Sequence, residues 1–243
     1  MRPSRFLLAA GLAGPILFLV IATLAGWLRP GYSARTDAIS DLGVGENAWL
    51  QNANFLLFGI LLVGYAVGFR RAMAPLVGVR TASWGAVVIG AGAVGTVGAV
   101  VFPAAPATGL FHFLFGFLIV MVSAVVAACY GGRVFRRVPG WRGLARYSTW
   151  TAVVSVALFI TTFFVLNPAS PMAAAGIGGL VNRTLATVAF AWYAVTAWKL
   201  LRMYRRTGPP TVLSDTTMHP FTIGRWASAL ASGRPTGSGR STP

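Results

Sequence analysis

Ionisable side chains are scarce in this chain, and where they fall together is where chemistry could occur. Three of its 4 acids, Asp37, Asp41 and Glu46, lie in one short segment. Within Thr36-Asp-Ala-Ile-Ser-Asp-Leu-Gly43, a single helical turn places Asp37, Ser40 and Asp41 on one side and Ile39 with Leu42 on the other, with Gly43 as a stop. Two carboxylates at i and i+4 repel each other by roughly a few tenths of a kcal/mol when exposed, and by more when partly desolvated. A cation should therefore lie near them. His112 and Arg183 are the candidates, and Asp41 with Arg183 is the expected pair, because an arginine at the hydrocarbon edge costs at least about 2.5 kcal/mol unless it snorkels or finds a partner. Asp37, Asp41, His112 and Arg183 form the candidate ligand-binding set, lining a pocket for a polar headgroup or small ligand. The competing reading is a clasp that pins the loop to the helices and binds nothing.

Stronger chemistries are pruned by the same inventory. Haem held between spans needs two axial side chains, and the other of the 2 histidines, His219, lies in the C-terminal tail. Cys129 is the only cysteine, so neither an intramolecular disulfide nor a thiolate metal cage can form. Zinc could take His112, Asp37 and Asp41 with an open fourth position for water, which would suit a membrane-embedded hydrolase. No spacing signature supports that set, and no cofactor is expected. Nucleophile-elbow, zincin, phosphate-loop and dinucleotide fingerprints are absent from any usable context.

These residues must be positioned by an unusual chain. With 56% apolar and 10% charged side chains, its 243 residues depart from soluble domains, in which about 25% are charged. Apolar runs near 20 residues long recur, and about 20 residues suffice for a helix to cross the hydrocarbon. Spans are expected over 6–28, 52–69, 82–102, 110–130, 149–166 and 176–200, separated by Pro-, Gly- or Arg-bearing turns. The first is longer than a signal-peptide core and reads as a retained helix, although Thr23-Leu-Ala25 has the form of a weak cleavage site. The net charge of +16 would suggest nucleic acid in a soluble protein, but the cations sit between apolar spans. Of the 20 lysines and arginines, all but Arg29, Arg35 and Arg183 fall on one side of a six-span arrangement. The positive-inside rule then puts both termini in the cytoplasm and the acidic loop outside, in a multi-pass protein of the plasma membrane. The expected fold is an all-α bundle of six transmembrane helices over residues 1–205. A basic, disordered tail is expected over 206–243, in which 221–230 could form a short amphipathic piece.

Small residues mark where membrane helices approach closely. Ala91, Gly95 and Ala99 recur every four residues in span three, with Gly90, Gly92 and Gly98 thinning the neighbouring faces, so this span is expected in the middle of the bundle. Gly64 and Gly68 form a GxxxG pair expected to serve internal packing. Polar stripes run along span four (Thr108, His112, Gly116, Ser123), span five (Ser148, Thr151, Ser155, Thr162) and span six (Arg183, Thr187). Most of the hydroxyls are expected to bond their own i−4 carbonyls.

Gly14-Pro15, the stretch from Tyr32 to Asp37, Ile39-Ser-Asp-Leu-Gly43, Asn52, His112 and Asn182-Arg183 together make the chain similar to a bacterial and archaeal membrane-protein family, domain of unknown function 998, over about residues 5–205. Ile39 to Gly43 is the most specific element. The resemblance implies a six-span fold and no established activity. The pair Asp41 and His112 is also similar to the Asp and His of membrane ceramidase-like hydrolases, whose additional histidines this chain lacks. The functional expectation is a protein that binds or moves a lipid-like or small amphiphilic ligand through an outward polar pocket, with the bilayer as its constant partner. A metal-dependent hydrolase and a structural or regulatory subunit are the alternatives.

Overall fold

A computed structural model describes residues 3–207. The tail expected beyond 205, with its amphipathic piece, lies almost wholly outside the described residues. Among the described residues, six helices are long and apolar enough to cross a membrane. They are α1 (Pro3–Leu28), α2 (Ala48–Val77), α3 (Val79–Val101), α4 (Gly109–Arg137), α5 (Arg142–Leu166) and α6 (Gly178–Thr207). Even α3, the shortest at 23 residues, rises about 35 Å, enough to cover the hydrocarbon. No strand occurs among the described residues. Helices α2 and α5 begin earlier than their apolar runs, and α2 also ends later, carrying Arg70 and Arg71 within the helix. Hydropathy marks the part of a helix that lipid solvates, whereas backbone hydrogen bonding carries the helix on into the interface.

Neighbours in sequence are neighbours in space, and α6 returns to α1, so the six helices close a ring. Connections 29–47, 102–108 and 167–177 gather at one end with Asp37, Asp41 and Glu46. The opposite end carries most of the described arginines, and there Arg5 of α1 donates to the Tyr204 carbonyl of α6 at 3.4 Å. All-α architecture, six spans and the common end shared by Asp41, His112 and Arg183 agree with expectation.

Span three is not the middle of the bundle. Helix α3 lies between α2 and α4 and turns Val87, Val94 and Val101 outward. The helix that reaches furthest is α6, which meets α1 and α5 and also touches α2 and α4, with Trp192, Tyr193, Phe190 and Leu185 buried. Small residues signal close backbone approach, and close approach does not require centrality. At Gly95 an added Cβ would lie 2.8 Å from the Phe115 carbonyl oxygen, and at Gly98 one would lie 2.5 Å from the Phe115 side chain. The GxxxG pair does serve internal packing, since a Cβ on Gly68 would come within 2.9 Å of the α1 backbone at Leu7.

The stripe hydroxyls follow expectation only in part: Thr108 donates to the Pro103 carbonyl, Ser123 to the i−3 carbonyl of Val120, and the buried Ser155 hydroxyl has no partner among the described residues. Ser148 donates to Leu144 at 2.8 Å and Thr162 to Leu158 at 2.7 Å, both i−4 carbonyls. Some also join helices: the Trp192 indole donates to Ser148 at 2.9 Å, and Tyr65 shares a 2.6 Å hydrogen bond with Thr196. Thr187 is exposed on α6, so the stripe expected from Arg183 does not continue inward.

Candidate functional site

The acidic segment folds as expected in outline. Ile39–Gly43 forms a 3-10 turn with Ile39 and Leu42 buried. Asp41 caps it, one carboxylate oxygen accepting from the Ala38 amide at 2.8 Å. The turn ends at Gly43 as expected, with Val44 extended, but the glycine is needed for a different reason. Its backbone is not left-handed; instead, a Cβ there would sit 2.9 Å from the Asn52 side-chain oxygen, while Asn52 donates to the Gly43 carbonyl at 3.1 Å.

Asp41 and Arg183 do not pair. One terminal nitrogen of Arg183 donates to the carbonyls of Ala34 (2.9 Å), Asp37 (2.8 Å) and Gly179 (3.1 Å), and the other donates to the Tyr32 hydroxyl. The Tyr32 ring also lies 5.2 Å from the guanidinium. Burial pushes the Tyr32 hydroxyl up despite the adjacent cation, so it keeps its proton and donates to the Ala38 carbonyl at 3.0 Å. Arg29 donates to the Asp41 and Val44 carbonyls, and Arg35 to that of Gly176 at 3.2 Å. All three arginines at this end therefore bind backbone oxygens. A loop supplies many more carbonyls than carboxylates, and a guanidinium fork can collect several at once.

Asp37 belongs to the same framework. Its carboxylate accepts from the Ser33 amide (2.9 Å) and the Thr36 hydroxyl (2.6 Å), and these bonds hold its pKa below the usual carboxylate range. Gly179 lets the loop sit on the start of α6, for a Cβ there would collide with the Asp37 carbonyl oxygen. Asn182 adds a bond from the Ile39 amide at 3.1 Å.

Asp41 and His112 face elsewhere. They line one groove of about 400 Å³ with Ser40, Asn167, Asn182, Thr162 and an apolar wall that includes Phe113, Phe117, Phe163 and Leu166. The groove lies where α4 and α5 part at the acidic end, bridged by ring contacts at 6.4 Å (Phe113 with Phe163) and 4.9 Å (Phe117 with Phe159). Asp41 is open to the groove, yet protein walls surround its carboxyl closely enough for burial to push its pKa up. The two observations agree because a concavity admits solvent while still excluding most of it. Desolvation leads, the Ala38 bond opposes it, and Asp37 adds to the rise.

His112 is 7% exposed and immediately precedes a π-helical stretch, Phe113–Ile119, within α4. Its Nδ1 lies 2.7 Å from the Phe102 carbonyl, which can only accept, so Nδ1 carries a proton. Its Nε2 is buried without a partner. Behind the ring is a second, smaller cavity of about 40 Å³ that His112 and Asn182 also line, room for a water or two. Thr162, Asn167 and the aromatic wall are additions to the expected site residues. Asn182 stands out in the sequence only as the neighbour of Arg183.

The zinc set expected of the hydrolase alternative is not assembled. Among the described residues no three His, Cys, Asp or Glu side chains come together as ligands, and both Asp37 oxygens are engaged by Ser33 and Thr36.

A family model described as Protein of unknown function (DUF998) matches residues 12–199. The chain belongs to that family. No curated protein and no solved structure matches it. The DUF998 match covers every residue of the groove and of the arginine clasp, and excludes the tail.

Proposed function

We propose that this DUF998 protein binds or moves a lipid-like or small amphiphilic ligand through the groove between α4 and α5, on the outward side of the plasma membrane, with both termini in the cytoplasm. The observation that carries this reading is the buried, unpartnered Nε2 of His112 beside Asp41, at the polar end of a groove with an aromatic wall. Buried polar atoms normally have partners, so an orphan lining a cavity fits a bound hydrogen-bonding group. A groove polar at one end and apolar along its side suits a molecule of the same two-part character.

Asp41 is the one acidic or basic side chain besides His112 among the residues lining the groove, which favours an uncharged or cationic headgroup rich in hydrogen-bond donors. In this reading Asp41 and His112 contact the headgroup, while Asp37 and Arg183 hold the loop that presents Asp41. The arginine distribution supports the orientation.

Native mass spectrometry of the purified full chain tests the proposal. A co-purifying amphiphile is expected, and Asp41→Asn or His112→Gln should reduce its retention by about tenfold or more, the loss of one strong hydrogen bond. Thermal stability should hold in Asp41→Asn, because the amide can still accept from the Ala38 N–H. Wild-type protein free of any amphiphile, or undiminished retention in both variants, would overturn it.

A further inference from the structure

At the opposite end of the bundle, a second groove of about 410 Å³ runs between the start of α3 and the end of α4, lined by Arg80, Trp84, Cys129, Tyr130, Arg133 and Arg137 among others. Arg80, Arg133 and Arg137 are exposed, and among the described residues none of the three forms a hydrogen bond or ion pair. The acids among the described residues, Asp37, Asp41 and Glu46, lie at the other end, so none of them neutralises this cluster. Trp84 is 60% exposed and stands about one helical turn beyond Arg80 along α3.

We propose that this groove is a binding site for the phosphate headgroup of an anionic phospholipid from the adjoining leaflet. Guanidinium groups match phosphate oxygens in fork geometry, and cationic pockets between helices at a membrane surface attract anionic headgroups. The acyl chains then continue along Val126 and the exposed face of α3, where Trp84 provides the amphipathic ring characteristic of the interface. Lipid accounts for the site better than free phosphate, because the apolar remainder of the groove gives inorganic phosphate nothing to contact.

Cys129 half-faces this groove and is the only cysteine in the chain, so its alkylation reads occupancy directly. The full-length protein is reconstituted into phosphatidylcholine vesicles with or without phosphatidylglycerol, and labelling of Cys129 by a membrane-soluble maleimide is timed. Phosphatidylglycerol should slow labelling. Arg80→Gln, Arg133→Gln and Arg137→Gln should each weaken this protection about fivefold, and the three combined should abolish it. The control carries Arg136→Gln, Arg142→Gln and Arg146→Gln, which remove the same charge from the same end outside the groove, and it should keep most of the protection. Equal labelling in the two kinds of vesicle would overturn the proposal, as would loss of protection in the control matching that in the groove triple variant. Protection reproduced by inorganic phosphate in phosphatidylcholine vesicles would equally overturn it. If the groove triple variant does not fold, Arg133→Gln alone serves, with the same outcomes. The amphiphile groove, at the opposite end of the bundle, plays no part in this readout.

Discussion

At the scale of single residues, the four polar groups picked out in the sequence separate into two jobs. Arg183 and Asp37 bind the backbone of the loop, and Asp41 and His112 face a groove. The separation predicts opposite responses. Lysine cannot reach the carbonyls of Ala34, Asp37 and Gly179 together with the Tyr32 hydroxyl, so Arg183→Lys should lower stability by about 2 kcal/mol, measured by thermal or denaturant unfolding in detergent. The two aspartates should differ in pH dependence. Asp37 has its pKa lowered by the Ser33 and Thr36 bonds, so its contribution is complete above the ordinary carboxylate range and disappears as pH falls through its lowered value. Asp37→Asn should therefore be destabilising at neutral pH and converge on the wild type in acid. Asp41 has its pKa raised, so its ionised form costs stability, and that cost sets in as pH rises from the ordinary carboxylate value and is complete above the raised one. Asp41→Asn should then be at least as stable as the wild type at neutral pH, with any gain vanishing towards acid. Unfolding curves across pH that show the same trend for both variants would mean the two carboxylates share one role.

At the scale of elements, the spans are plain in the sequence because a two-letter pattern of apolar and polar residues suffices to define a transmembrane helix. Partnering is less legible. The expectation that Arg183 meets Asp41 treats side-chain charges as the only partners, and the carbonyls of Ala34 and Asp37 carry no signature in sequence. The π-helical stretch Phe113–Ile119 is equally invisible, since its residues would also suit an ordinary helix. It matters for the groove, because a widened turn follows His112 and brings Gly116 against the ring: a Cβ there would lie 3.1 Å from His112 Nε2. Glycines in α3 receive this irregular segment, and they are not equivalent. Gly95→Ala must displace the Phe115 carbonyl and should cost about 1–3 kcal/mol of stability. A Cβ on Gly90 would meet nothing within 4 Å, so Gly90→Ala should be neutral or stabilising by up to about 1 kcal/mol through helix propensity. Unfolding measurements on the pair check the assignment of the close approach to Gly95.

At the scale of the whole molecule, the two grooves lie at opposite ends of one ring of helices, so the direction of insertion decides which leaflet each one meets. Among the described residues, all cations but Arg29, Arg35 and Arg183 belong to segments on the side away from Asp41, and over connections this short such a bias supports the proposed cytoplasmic arginine end. The three exceptions are bound to backbone: Arg29 to the Asp41 and Val44 carbonyls, Arg35 to Gly176, and Arg183 to the loop. Carbonyl oxygens of the acidic end solvate them, so their presence there is an outcome of folding and does not contradict the bias. In a Cys129→Ala background, Ala169→Cys at the acidic end should react with a membrane-impermeant maleimide in intact cells, while Pro139→Cys at the arginine end should react only after permeabilisation. Both positions are exposed in connecting segments, so accessibility reports the side of the membrane and not burial. The reverse pattern would turn the amphiphile groove towards the cytoplasm and the arginine groove towards the outer leaflet. Each would then face a different lipid population, and the chemistry assigned to their occupants would have to be exchanged with it.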